Sequence, residues 1–308
     1  MLEHGFTLIC PVRDPKSSAA QTLSHYAATV APGRLSVVTA KLDDERALTK
    51  VLKPFRADSL VSCIASRSGG IADSEAVEYR ANHNLLRWAS STQVKHFTLL
   101  SAICVQKPRL AFQFAKLRFE TELAASGLSY TSVRATAFFK SLSGQLQRVK
   151  RGKPFLMFGD GLLTRCKPIA ESDLAHFIRL SLESPELRGV QAIGGPGPEI
   201  TPLGQAQLLA RLTQQPLRTQ SVSPKLLVAA ASALSVPGRI SARIADKAEF
   251  ARIGHYYATE SMLLWNGDRQ AYDAAATPEF GSITLEESYR AQLAGTDKQS
   301  LGQQAVFR

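Results

Sequence analysis

The sequence predicts an α/β fold, a Rossmann-like doubly wound parallel sheet followed by a smaller, mostly helical lobe. Short apolar runs alternate with longer amphipathic segments, in strand–helix–strand order from the start of the chain. The runs are apolar almost throughout, as expected for strands that helices cover on both faces. The chain has 308 residues, of which 44% are hydrophobic, so it can form one large core and a satellite.

The predicted strands are the apolar runs, in chain order. They are residues 6–12, 35–40, 60–65, 97–103, 130–135 and 190–193. Predicted helices lie between them, where a capping residue precedes apolar residues at helical spacing. They are residues 44–52, a longer helix from Ser74 through Trp88, and residues 110–125.

After about residue 195 the pattern becomes helical. The helices predicted there are residues 201–215, 224–236, 239–257 and 283–293. We therefore expect an NAD(P)-binding Rossmann-like domain over residues 1–195 and a helical substrate or lid lobe over residues 196–294. Residues 295–308 are polar, and we expect them to be disordered.

The amino-terminal region lacks the glycine-rich turn that holds the pyrophosphate in a dinucleotide-binding fold. Gly194, Gly195 and Gly197 follow the last predicted sheet strand instead, and they indicate a loop near the mouth of a site. Residues 2–14 have the pattern of a helix end, a glycine turn, a second strand and a basic loop. The sequence thus predicts a sheet without its first strand and glycine loop, with roughly 30 residues upstream of Met1.

Charge and residue spacing restrict the ligands. The formal net charge of +11 favours anionic partners, but nucleic acid is not expected, because no aromatic residues interleave with the basic clusters. The four cysteines lie far apart and the histidines show no ligand spacing, so we expect neither a disulfide framework nor a metal site. No apolar run reaches the ~20 residues that span a bilayer.

Several residues follow strands of the predicted sheet and are candidates for cofactor binding. Arg13 and Lys16 follow the first run, where an arginine accommodates the 2′-phosphate of NADP rather than the free hydroxyl of NAD. Solvated loop cations are the alternative. Asp43 could meet an adenine amino group or cap the next helix. Ligands lie at the carboxyl ends of such strands, so the cofactor is also expected to border Ser62, Ala65 and Ser66.

Phe112 and Lys116 share one face of the helix predicted over residues 110–125. In short-chain dehydrogenases this face carries a Tyr-x-x-x-Lys pair, in which the tyrosine protonates a carbonyl oxygen. Phe112 stands in the tyrosine position and can donate no proton. The sequence therefore predicts either a protein that does not catalyse or one that reduces something other than a carbonyl.

Five longer motifs are highly specific together. They are LSAICVQKP (100–108), KPFLMFGDG (153–161), CKPIAESDLA (166–175), IGGPGPEITPLGQ (193–205) and EFARIGHYYATESML (249–263). With the stretch 97–143, they resemble the 3,8-divinyl chlorophyllide 8-vinyl reductases, NmrA-like atypical short-chain dehydrogenases of chlorophyll synthesis. The resemblance extends from residue 6 to about 293. Ala135 departs from it, because the family usually has proline there.

The resemblance implies that NADPH reduces the 8-vinyl group of divinyl chlorophyllide a, or of its protochlorophyllide precursor, to ethyl. It implies that Lys116 holds the nicotinamide ribose and that Ser101 meets the carboxamide or a nearby water. Charge left by hydride addition delocalises into the macrocycle, so no acid is needed beside it, and a phenylalanine can stand at position 112 where other members of the fold have tyrosine. The other expected site residues are Thr136 and Phe138, beside the nicotinamide, and Phe112, Phe139 and Tyr256, lining the substrate.

Other interpretations stay open at this point. A non-catalytic NADP-binding regulator or assembly factor of the same fold would bind the nucleotide without consuming it, and a reductase of phenylpropanoid double bonds is less favoured. The resemblance implies a plastid in a eukaryote or the cytoplasm in a photosynthetic bacterium, with contact to a thylakoid or envelope surface as one use of the basic clusters. The oligomeric state stays open, and so does the proton donor, among Tyr79, Tyr130, Tyr256 and solvent.

Overall fold

The computed structural model describes residues 1–238 and 240–296, and all six predicted strands form in it. The strands are β1 Leu8–Val12, β2 Leu35–Thr39, β3 Ser59–Ser62, β4 His96–Ala102, β5 Ser129–Ala135, β6 Phe155–Phe158, β7 Gly189–Ile193, β8 Thr219–Val222, β9 Leu264–Asn266 and β10 Ala271–Asp273. β3 ends three residues before its predicted end, so Ala65 lies in the loop that follows.

The helices of the first part follow the expected alternation. They are Ser18–Val30, Glu45–Leu52, a continuous helix of Ile71–Asp73, Ser74–Ala81 and Asn82–Ser90 (the Glu78 helix), Ala111–Ala125 (the Lys116 helix), Phe139–Leu142, Leu146–Lys150 and Glu171–Glu183. The helix Ser18–Val30 was not predicted, although Ser17 caps it by accepting from the N–H of Ala20 at 3.4 Å.

Parallel pairing places the strand ends on common edges. β1 pairs with β2 from Leu8 opposite Leu35 onwards, and a second sheet has the order β3-β4-β5-β7. Within residues 1–238 and 240–296, β1 does not pair with β3. Because all these pairs are parallel, each sheet gathers its carboxyl ends on one edge, which is where open α/β sheets bind ligands.

Helices cover both faces of the four-stranded sheet. On one face, Phe97 of β4 packs against Phe119, with ring centroids 5.7 Å apart. On the other face, the hydroxyl of Thr98 lies 3.0 Å from that of Ser181 in helix Glu171–Glu183. Neighbouring residues of one strand thus point to opposite helical layers, and the predicted doubly wound architecture is confirmed.

The carboxy-terminal part contains four long helices and short strands. The helices are Pro202–Thr213, Lys225–Gly238, Ala242–Thr259 (the Tyr256 helix) and Leu285–Ala294. β8 pairs in parallel with β6, and β9 with β10 in antiparallel fashion, so β6, which precedes residue 195, joins strand β8 of this part. The boundary at 195 stays a prediction, and residues 297–308 of the predicted tail lie outside the described residues. No helix within the described ranges combines the length and apolar character needed to cross a membrane.

Candidate active site

A buried ion pair lies beside the carboxyl edge of the larger sheet. The ammonium nitrogen of Lys116 is 2.6 Å from Oε2 of Glu78, and the two side chains are only 8% and 3% exposed. Oε1 of Glu78 accepts from the backbone N–H of Ser66 at 2.8 Å. Buried charges require such partners. Lys116 is therefore a fixed cation of the interior rather than a solvated helix lysine.

The helix that carries Glu78 has an unusual local geometry. Residues Ser74–Ala81 are π-helical, a form that recurs at functional sites. Ser74, Glu78 and Asn82 are all buried on it. The side-chain amide of Asn82 donates to the carbonyl of Glu78 at 2.9 Å and accepts from the hydroxyl of Ser62 at 2.5 Å. The π-helical segment thus turns polar residues toward the strand ends.

The loop after β3 is closed by hydrogen bonds to one carboxylate. Oδ2 of Asp73 accepts from the hydroxyl of Ser66 at 2.6 Å and from the N–H groups of Arg67 and Ser68 at 3.1 and 3.2 Å. Burial raises the pKa of Asp73, but these bonds, with that from the Ser68 hydroxyl, outweigh it and hold the pKa below its ordinary value. Ser66 is thereby committed to the loop, and Ala65 is exposed beside it.

Ser101 and Thr136, at the ends of β4 and β5, differ in hydrogen bonding. Ser101 is 4% exposed, and its hydroxyl has no hydrogen-bond partner among residues 1–238 and 240–296. The hydroxyl of Thr136, by contrast, donates to the carbonyl of Lys167 at 2.5 Å. Phe138, just beyond, is half-buried and packs against the core. Ser101 is therefore free to bind a ligand, whereas the Thr136 side chain is already satisfied.

The structure brings Phe112 and Tyr256 into one apolar cluster with Cys104 and Leu110. The hydroxyl of Tyr256 lies 2.9 Å from the carbonyl oxygen of Cys104 and 3.0 Å from that of Lys107. Burial raises the pKa of Tyr256 above its ordinary value. Tyr256 thus presents a neutral ring whose hydroxyl is anchored to backbone.

Other predicted residues lie elsewhere. Phe139 is 1% exposed and packs with Phe155 in the core beneath helix Pro202–Thr213, so it fills the interior instead of lining the Phe112 cluster. Arg13 and Lys16 are exposed in the loop after β1.

Asp43 is also exposed, and the capping alternative for it is wrong. Asp44 caps the next helix instead, by accepting from the N–H of Ala47 at 3.0 Å. The Asp43 carboxylate is therefore not used to start that helix.

The Tyr256 helix ties the lobe to both helices of the ion pair. Oδ1 of Asp246 accepts from the N–H of Ile71 at 3.2 Å, at the start of the Glu78 helix. Oε1 of Glu249 accepts from the N–H of Ala111 at 2.8 Å, the first residue of the Lys116 helix. The lobe therefore positions the site as well as covering it.

A second charged cluster follows β4. Glu260, 8% exposed at its side chain, lies 2.7 Å from Lys107 and 3.0 Å from Arg109, and it accepts from the hydroxyl of Tyr272 at 2.6 Å. Burial raises the pKa of Glu260, but these hydrogen bonds and cations outweigh it and keep the pKa below its ordinary value. The ammonium of Lys107 also lies 4.1 Å from the ring centroid of Trp265. These contacts account structurally for Lys107 in the LSAICVQKP motif.

Sequence reasoning missed Glu78, Glu249 and Glu260. For Glu78 a signal was present, since Ser74, Glu78 and Asn82 recur every four residues inside a predicted helix. For the other two, the partners that place them at the site lie far along the chain, Ala111 for Glu249 and Lys107 for Glu260, so no local pattern marks that position. Over the described residues, no group of three or more His, Cys, Asp or Glu side chains is arranged to hold a metal ion.

Comparison with known proteins identifies the family. An NAD(P)H-binding family model matches residues 1–185. The chain is 44% identical over 288 residues to the chloroplastic divinyl chlorophyllide a 8-vinyl-reductase of Oryza sativa subsp. indica, an alignment that covers 91% of this chain and 71% of that protein. The chain belongs to the divinyl chlorophyllide a 8-vinyl-reductase family. The resemblance predicted from the motifs is thereby confirmed.

Other members of this reductase family give similar values. The chain is 46% identical over 257 residues to the enzyme of the same name from Cucumis sativus, covering 81% of this chain and 61% of that protein. It is 44% identical over 258 residues to that of Arabidopsis thaliana, covering 81% and 62%. These relatives are also named as chloroplastic.

Solved structures confirm the fold of this family member. The NADPH-dependent quinone oxidoreductase of Escherichia coli, complexed with NADPH, has a TM-score of 0.64 at 18% identity, covering 93% of this chain and 90% of that one. A UDP-glucose 4-epimerase of Thermotoga maritima has a TM-score of 0.64 at 14% identity, covering 93% and 98%. At these identities the likeness shows a shared fold only.

Proposed function

We propose that this chain reduces the 8-vinyl group of 3,8-divinyl chlorophyllide a, or of its protochlorophyllide precursor, to an ethyl group with NADPH. The observation that carries the proposal is Lys116, buried and paired with Glu78 one helical turn from Phe112, in a chain that belongs to the vinyl reductase family. This arrangement keeps a cation at the site and leaves no acid in the position that a carbonyl reductase requires.

The residues at the larger sheet fit the nicotinamide end of NADPH, which supplies a hydride when bound. The buried hydroxyl of Ser101 lacks a hydrogen-bond partner within the residues that the structure describes. The ammonium of Lys116 has three N–H donors, and over the described part of the chain Glu78 is its one ion-pair partner. We assign Ser101 to the carboxamide and Lys116 to the ribose. Thr136 and Phe138 border the same end.

We assign the adenosine end of NADPH to the smaller sheet, formed by β1 and β2, and to the loop after β3. Arg13 and Lys16 are exposed and therefore accessible to a 2′-phosphate, which favours NADPH over NADH. Asp43 is assigned to the adenine amino group. The residues assigned to border the cofactor are Ser62, at the end of β3, and Ala65 and Ser66 in the loop that follows.

The substrate side is apolar, as vinyl reduction allows. Addition of hydride to the terminal vinyl carbon leaves charge that spreads over the macrocycle, so no strong acid is needed beside the reacting carbon. Phe112 and Tyr256 form the wall there, and the Tyr256 hydroxyl is held by two backbone carbonyls. Tyr79 and Tyr130 pack against the core around Phe97 rather than in the Phe112 cluster. The Tyr256 hydroxyl is held by backbone carbonyls and burial raises the pKa of Tyr256, so we assign the proton to solvent.

The test is the conversion of divinyl chlorophyllide by the full chain with NADPH, followed by absorption spectroscopy and chromatography of the pigment. We expect monovinyl pigment, formed in equal amount to the NADPH consumed. NADPH binding without conversion would support the non-catalytic regulator or assembly factor instead.

For location, we propose a plastid in a eukaryote or the cytoplasm in a photosynthetic bacterium. Leu226 and Val236, near the two ends of helix Lys225–Gly238, are 63% and 68% exposed, and Lys225 beside Leu226 is exposed as well, which favours contact with an anionic membrane surface. Flotation with vesicles of anionic lipid tests this contact, and recovery of all protein in the unbound fraction would refute it.

A further inference from the structure

A groove lies between helix Lys225–Gly238 and the Tyr256 helix. Its volume is about 340 Å³, within the usual range for small-molecule sites. Val228 and Ala231 line one side, and Leu110 and Tyr256 line another. The groove is thus an apolar slot whose walls come from both parts of the molecule.

The groove adjoins the site already described. Leu110 and Tyr256 belong both to its lining and to the cluster around Phe112. Lys116 lies one helical turn beyond Phe112. A planar apolar ligand in the groove would therefore point one edge toward Lys116.

Two arginines line the same groove. Arg109 lies 3.0 Å from Glu260 and is 57% exposed at its side chain, and Arg252 lies 3.0 Å from Glu249 and is 42% exposed. A guanidinium carries five N–H donors, so each arginine keeps donors beyond its ion pair.

The local charge is unbalanced. Glu260 pairs with both Arg109 and Lys107, and Glu249 pairs with Arg252. Three cations are thus paired with two carboxylates. The surplus is positive. An apolar ligand with one carboxylate complements both the walls and this charge.

We propose that the groove binds the propionate side of the tetrapyrrole, with Arg109 and Arg252 pairing with the free carboxylate. This inference rests on the proposed function and names the residues that would select a free acid over an ester. In the pigment, the propionate ring lies diagonally opposite the ring with the 8-vinyl group. Arg109 immediately precedes Leu110, the N-cap of the Lys116 helix, and from that cap to Lys116 the helix rises on the order of 9 Å. A macrocycle held at Arg109 thus extends toward Lys116.

The experiment is a fluorescence titration of divinyl chlorophyllide, without NADPH, into the full chain and its Arg109→Gln and Arg252→Gln variants. Each variant is expected to bind the free acid about 10-fold more weakly, because a charge-assisted hydrogen bond is lost. The methyl ester of the pigment should bind all three proteins with the same low affinity. In turnover, KM for the free acid should rise while kcat stays unchanged.

Arg290→Gln is the matched control, because Arg290 is also an exposed arginine paired with a glutamate, Glu286, at 2.6 Å. It should bind like the unmodified chain. Arg109→Lys and Arg252→Lys keep the charge and should recover most of the affinity, which separates charge from folding.

Equal weakening for acid and ester would show that the arginines only hold the helices, and unchanged affinity for the acid would place the carboxylate elsewhere. Either result overturns the proposal. Binding that follows the expected pattern, without NADPH-dependent turnover, would instead refute the proposed function and leave the groove assignment standing.

Discussion

At the carboxyl edge of the larger sheet, Lys116 is buried and paired with Glu78, whereas at that of the smaller sheet Arg13 and Lys16 are exposed. The larger-sheet region is organised by packing and buried hydrogen bonds within the chain itself. The smaller sheet offers cations on a loop, with little packed around them. Substitutions in the first region should therefore affect folding and function together, and substitutions in the second should affect only ligand binding.

The largest effect is expected for Glu78→Gln, which leaves Lys116 buried without a counter-charge. We expect the free energy of unfolding to fall by about 3–5 kcal/mol, as measured by urea denaturation. Glu75→Gln is the control, since Glu75 pairs with Arg118 at an exposed position on the same helix and should change stability by about 0–1 kcal/mol. Similar losses for both variants would contradict the distinction between buried and exposed pairs.

A smaller effect of opposite sign is expected for Ser101→Ala. It removes a buried hydroxyl that has no hydrogen-bond partner in the described part of the chain, so stability without cofactor should rise by about 1 kcal/mol while NADPH affinity falls. Thr136→Val is the comparison, because it leaves the carbonyl of Lys167 unpaired and should destabilise by about 1–3 kcal/mol. Calorimetry without NADPH measures the stability of each variant, and calorimetry with NADPH measures the loss of cofactor binding. Ser101→Ala that destabilises the free protein would mean that its hydroxyl has a structural partner.

The same contrast explains what could be predicted from the sequence. Strands such as β4 and β5 were predictable because a strand buried on both faces needs a continuous apolar run. Glu78 has a weaker signal, the polar repeat Ser74, Glu78 and Asn82, because the apolar residues of the same segment predict a regular amphipathic helix and the π-helical segment Ser74–Ala81 changes which residues face inward.

Long-range contacts could not be predicted from the sequence either. The bond from Ala111 to Glu249 and the ion pair of Lys107 with Glu260 depend on how the lobe packs, which no local spacing encodes. The ligand role of Arg13 stays a prediction, and its basis is the position of the residue after a strand rather than any packing.

At the smaller sheet, the double variant Arg13→Ala, Lys16→Ala should lower NADPH affinity about 10-fold and leave NADH affinity unchanged, since only NADPH carries the 2′-phosphate. Stability should stay within about 0.5 kcal/mol, because both side chains are exposed. Nucleotide titration followed by fluorescence provides the measurement. Equal loss for both nucleotides would assign the loop to the pyrophosphate instead.

The smallest effect concerns pH at the larger sheet, where Glu260 links Lys107 and Arg109 after β4. The pKa of Glu260 is lower in the folded chain than in the unfolded chain, where it is about 4.3. Its contribution to stability is therefore present above pH ~4.3 and is lost as pH falls through the folded pKa.

Glu260→Gln should accordingly reduce the free energy of unfolding at neutral pH and make that free energy fall less steeply in acid. Urea unfolding between about pH 3 and about pH 7, a range that brackets the unfolded pKa of glutamate, measures both effects. The effect is limited because Arg109 is 57% exposed and solvent screens its charge. Glu286→Gln, in helix Leu285–Ala294, is the matched control, since the carboxylate of Glu286 also has a lowered pKa, through a hydrogen bond from Arg290. If both variants reduce the pH dependence of the free energy of unfolding in acid equally, burial at Glu260 adds nothing to the ion pair. The contrast between interior and surface charges would then not extend beyond Lys116 and Glu78.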